Sequence, residues 1–153
     1  MQSIFVLFAF CILLGSSTGS TIVTQETVPV ASATSPTGTF KLITVNRDSS
    51  VTETGTDFST VVSNDTVPVL IHFSAEWAAP CKTMHPVLVE TAKKFSKRAF
   101  VGTVDIEESP EVGAYYMIRS VPTFVVLVKG REVARSVGMM TQKKLAGLVE
   151  IKR

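Results

Sequence analysis

Phe73-Ser74-Ala75-Glu76-Trp77-Ala78-Ala79-Pro80-Cys81-Lys82 joins two segments of opposite character. Upstream, Val67 to Phe73 (VPVLIHF) is a nearly continuous apolar run, as a strand covered on both faces requires. Downstream, Pro80 to about Lys97 carries apolar residues at Met84, Val87, Leu88, Ala92 and Phe95, the spacing of a helix with one buried face. Pro80 suits a first helical turn, where its missing N–H has no partner to lose. Pro86 falls inside the same helix and is expected to kink it, since it removes a backbone donor and crowds the preceding turn. The decisive stretch is therefore a strand-to-helix junction carrying one tryptophan and one cysteine.

Working outward, Phe40 to Val45 alternates as a strand does, and Asp57 to Ser63 is a short helix with Thr56 as its candidate N-cap. Ala99 to Asp105 is the next strand. Ser109-Pro110-Glu111 reads as a helix start, with a capping hydroxyl, a first-turn proline and an acid at the positive end of the helix dipole. Thr123 to Val128 and Glu132 to Val137 flank the turn Lys129-Gly130-Arg131, and Thr141 opens an amphipathic helix with Leu145, Leu148, Val149 and Ile151 inward. The predicted order is β-α-β-α-β-α-β-β-α, an α/β class with a mixed sheet between helices on both faces.

In these residues the chain resembles the thioredoxin family. The junction is similar to the family segment ending Trp-Cys-Gly-Pro-Cys-Lys, and Arg119-Ser120-Val121-Pro122-Thr123-Phe124 is similar to the segment holding its cis-proline. Gly138 matches the glycine after the last strand, and Pro86 the helix proline. The resemblance spans roughly Phe40 to Arg153 and implies a thioredoxin fold, with protein substrates docked as extended segments. It places substrate contacts at Trp77, Pro80, Val121, Pro122 and Gly138. In such domains the residue before the cis-proline pairs its backbone with the peptide, a strand-addition mode.

Two departures bear on activity. In the chemistry the resemblance implies, the first motif cysteine attacks a disulfide and the second resolves the mixed disulfide. Here the attacking position is Ala78 and only the resolving position, Cys81, keeps a thiol, so the two-cysteine cycle cannot run. Cys81 is either a single reactive thiol forming mixed disulfides or a small buried hydrophobe. His72 stands where the family usually has a buried aspartate. It either activates Cys81 as a Cys–His pair or fills a polar hole as a neutral ring. Two functions follow as expectations: a redox-impaired binder of extended or cysteine-containing protein segments, or a monothiol oxidoreductase using Cys81. Whether the chain is an enzyme is left open.

The chain has 153 residues, enough for one domain and a leader. Ile4 to Leu14 is a short apolar run followed by small residues to Ser20, the pattern of a cleavable secretory signal. It is shorter than the roughly 20 apolar residues of a membrane span. The expected organisation is a signal peptide at 1–20, a Ser/Thr-rich linker at 21–39 and the folded domain at 40–153, with secretion or a lumenal location. An organelle reached by a bipartite leader is the alternative. The only cysteines are Cys11, inside that leader, and Cys81, so cleavage leaves one thiol and no internal disulfide. Asn64-Asp65-Thr66 is a glycosylation sequon. The net charge of +2, without a basic stripe, argues against nucleic acid. There is no phosphate loop, no Ser/His/Asp arrangement, no haem motif and no metal-ligand spacing around His85, so neither cofactor nor metal is expected.

Overall fold

The structure is a computed structural model that describes residues 35–63 and 66–150. The leader, most of the linker, Asn64 of the sequon and Ile151 lie outside the described residues.

Six strands form one sheet. They are β1 (Thr39–Val45), β2 (Val51–Asp57), β3 (Val69–Ser74), β4 (Phe100–Asp105), β5 (Thr123–Val128) and β6 (Arg131–Val137). Their spatial order is β2-β1-β4-β3-β5-β6. Only β3 and β4 are parallel, and the other neighbours are antiparallel. The helices are α1 (Phe58–Val62), α2 (Ala79–Phe95), α3 (Pro110–Tyr115) and α4 (Gln142–Glu150). This is the mixed sheet flanked on both faces that the sequence predicts.

All six residues of β3 are buried. Because side chains alternate across a strand, Val69, Ile71 and Phe73 enter one core with Phe58 of α1 and Val112 of α3. Leu70 enters the other, with Met84 and Leu88 of α2 and Leu145 of α4. His72 shares the parity of Leu70 and stacks on Phe124 of β5, ring centroids 4.9 Å apart. The helix α2 runs unbroken through Pro86 to Phe95.

Four expectations need correction. Residues 51–57 form β2, a strand absent from the predicted order, paired with β1 from Thr39↔Asp57 to Val45↔Val51. Its sequence VTETGTD is largely exposed, and a polar edge strand lacks the apolar alternation that betrays a buried one. The N-cap of α1 is Asp57, not Thr56. Its carboxylate accepts from the Thr60 N–H at 3.1 Å and from the Ser59 hydroxyl, and these bonds hold it below the usual carboxylate range. The Ser109 hydroxyl does not cap α3. It accepts from the Thr39 N–H at 2.9 Å instead, tying the start of β1 to the α3 turn. The β5–β6 turn is the two-residue Lys129-Gly130, both at positive φ (53° and 70°), the conformation that matches hairpin twist.

Gly102 of β4 lies where β1 crosses closely. A Cβ there would sit 2.4 Å from the Lys41 carbonyl oxygen and 2.5 Å from the Phe40 ring. Gly102→Ala is expected to lower the urea midpoint, by about 1–3 kcal/mol of stability, as overpacking does. An unchanged midpoint would mean that β1 yields freely.

Candidate functional site

After Ser74 the chain leaves the sheet through Ala75, Glu76 and Trp77 and enters α2 at its N-cap, Ala78. The junction is held by backbone bonds: Ala78 N–H to the Ala75 carbonyl (3.1 Å) and Cys81 N–H to the Ala78 carbonyl (2.9 Å). Pro80 occupies the first turn and is exposed. Alanine offers no side-chain cap, so the N-cap position here is steric and not polar. The Ala78 methyl is buried with Ala75 and Cys81, and Val121 and Ile106 pack against this small cluster.

Val121 leads into the cis peptide bond to Pro122. Pro122 is buried, and its carbonyl accepts from the Gly138 N–H at 2.8 Å, extending the β5–β6 pairing by one step. Gly138 has φ +87° and no atom within 4 Å of a would-be Cβ, so glycine serves its conformation and not its space. Neither the N–H nor the C=O of Val121 takes a hydrogen bond among the described residues. The segments that meet here carry three exposed apolar side chains: Trp77 (69%) in the junction, and Val137 (60%) and Met139 (63%) on either side of Gly138. The sequence singled out Trp77, Pro80, Val121, Pro122 and Gly138, and the fold gathers them at one end of the sheet. Met139 and Val137 carry no motif, and adjacency to Gly138 was the one available signal.

Cys81 lies on the inner side of the junction and is 4% exposed. Burial raises its thiol pKa above the ordinary value; a backbone hydrogen bond from Ala75 works against this, and the Asp105 carboxylate adds to the rise. The thiol is held protonated. His72 is 2% exposed, and burial, assisted by the field of His85, lowers its pKa to about 4. Neither of its ring nitrogens has a hydrogen-bond partner, so no Cys–His bond is made, although both residues line one cavity of about 420 Å³. Asp105, which sequence reasoning missed, reaches this cavity because β4 pairs it with Ser74. His85 is bonded to Glu53 of β2. Among the described residues no three His, Cys, Asp or Glu side chains are set to hold a metal, and no helix is long and apolar enough to cross a membrane.

A cis-proline turn facing a strand–loop–helix junction of Trp-x-x-Pro-Cys form defines a thioredoxin-type domain. Comparison with known proteins agrees. Residues 49–150 match the family model for thioredoxin. The chain is 33% identical to thioredoxin of Haemophilus influenzae over 61% of its length and 87% of that protein's. It is 34% identical to thioredoxin 1 of Synechococcus elongatus over 63% of its length and 91% of that protein's. Among solved structures, a mutant thioredoxin from Halobacterium salinarum superposes with a TM-score of 0.53 at 30% identity, over 60% of this chain and 79% of that one. The protein belongs to the thioredoxin family.

The buried neutral His72 makes stability depend on pH. Its folded pKa of about 4 lies below its ordinary value of 6.5, so the unfolded chain binds the extra proton first. This contribution is fully present above pH 6.5 and is lost as pH falls from 6.5 to 4, by about 3 kcal/mol. His72→Phe keeps a ring on Phe124 and is expected to flatten that loss in urea unfolding series. An identical slope in the variant would show that His72 is not buried neutral.

Proposed function

We propose that this protein binds extended protein segments at the end of its sheet and does not run a dithiol reductase cycle. The observation that carries the reading is the peptide backbone of Val121, unpaired among the described residues, with Trp77, Met139 and Val137 exposed on the adjoining segments. Free N–H and C=O groups beside a sheet take an extended peptide through main-chain bonds. Exposed tryptophan and methionine give adaptable apolar contact that does not demand one partner sequence. Clients are then selected by extension and apolar content, as in an adaptor or holdase.

The chemistry supports the second half. The position from which the family's attacking thiol acts is occupied by the Ala78 methyl, which cannot be a nucleophile. Cys81 behind it is buried and protonated, and the thiolate is the reactive form. The competing reading, a monothiol oxidoreductase in which Cys81 forms mixed disulfides, requires His72 to draw off the thiol proton, and no bond joins the two. The leader and the single cysteine left after its removal fit a secreted or lumenal protein, and the sequon at Asn64 is then a candidate modification site; both belong to the same proposal.

Trp77 is the chain's only tryptophan, so its fluorescence reports on the site directly. An extended, cysteine-free apolar peptide is expected to shift Trp77 emission saturably, and Met139→Asp to weaken binding by about tenfold. In insulin reduction with dithiothreitol the protein is expected to stay at background, and Ala78→Cys to gain turnover. Turnover by the unmodified protein that disappears in Cys81→Ser would favour the monothiol reading instead.

A further inference from the structure

Peptide docking makes no use of His72. A buried imidazole with both nitrogens unpartnered carries an uncompensated desolvation cost, whereas a phenyl ring would stack on Phe124 without that penalty. The polar ring therefore calls for a ligand that meets it. The open cavity it lines lies between the ends of β3 and β4 and the start of α2, and Cys81 and Asp105 also line it. Of the cationic side chains lining it, Lys41 pairs with Glu108 at 3.0 Å and His85 with Glu53, while Lys82 shares the lining with the acids Glu76, Asp105 and Glu108. One Asp105 oxygen accepts from the Glu107 N–H, which fixes the carboxylate where its negative field favours a cation beside the sulfur.

The donor set is soft. A thiolate and a neutral imidazole suit copper(I), whereas carboxylate and carbonyl oxygens suit magnesium and calcium. A structural zinc site needs four ligands in a tetrahedron, and no three candidate side chains converge among the described residues. A monovalent soft cation accepts two ligands in a line.

We propose that His72 and Cys81 form a two-ligand site for copper(I) inside this cavity. The sulfur–copper bond forms as the S–H bond breaks and its proton leaves to solvent. A lone pair on one imidazole nitrogen completes the coordination, and the metal remains copper(I) throughout. One proton is released for each ion bound, as thiolate ligation requires. Metal-ligand spacing is absent from the sequence because the two ligands come from a strand and a helix that meet only in the fold.

The test is competition between the full-length protein, carrying Cys11→Ser so that Cys81 is its only thiol, and the coloured copper(I)–bicinchoninate complex under anaerobic ascorbate. The protein is expected to withdraw one equivalent. Cys81→Ser and His72→Phe are each expected to weaken this by at least about tenfold. Failure to withdraw copper, or full affinity in a folded His72→Phe, would overturn the proposal. Should His72→Phe not fold, X-ray absorption of the copper complex decides: one sulfur and one nitrogen neighbour support the site, and sulfur alone or nitrogen and oxygen alone contradict it. Zinc binding as tight as copper(I) would likewise contradict a two-ligand geometry.

Discussion

The burial of β3 on both faces is the constraint on which the rest of the structure depends. Its parallel pairing with β4 and antiparallel pairing with β5 place it centrally, and helices cover it from above and below. Every side chain on it must leave water. Five of the six accept that readily, being apolar or small. His72 does not, and its neutral state, its stacking on Phe124 and its idle nitrogens all follow from the strand's position.

The same strand delivers the junction. Where β3 runs out at Ser74 the chain must turn back into α2, and the turn puts Ala78 and Cys81 on its inner side and Trp77 outside. The cis Val121–Pro122 turn meets it from β5, and the bond from Gly138 to Pro122 holds that turn from β6. Ala75, Ala78 and Cys81 form one small buried cluster at this junction, with Val121 and Ile106 packed against it. A cysteine at position 78 would present sulfur to a docked segment. With alanine there, no sulfur reaches the face proposed for docking, and Cys81 instead lines an open groove with His72 and Asp105.

The sequence made legible what depends on apolar pattern and on local chemistry. The central strand, the long helix, the hairpin around Lys129-Gly130 and the junction motif could all be read, because burial and turn geometry restrict residue type there. The polar edge strand β2 could not, since its residues face water and follow no alternation. Ser109 was misread because its hydroxyl is used across the fold, 70 residues away at Thr39, and not within its own helix. At the site, Trp77, Val121, Pro122 and Gly138 were named from motifs. Met139, Asp105 and the shared cavity arise only from strand register and packing, which no local window contains.

The unpaired backbone of Val121, in the turn before β5, is proposed to bind extended segments, and amide hydrogen exchange at that residue tests this most directly. Val121 is expected to exchange quickly in the free protein and to become strongly protected when an extended peptide is added, while the amides of β3 stay unchanged. Protection of Val121 before any peptide is present, or no change on saturation with peptide, would contradict the account.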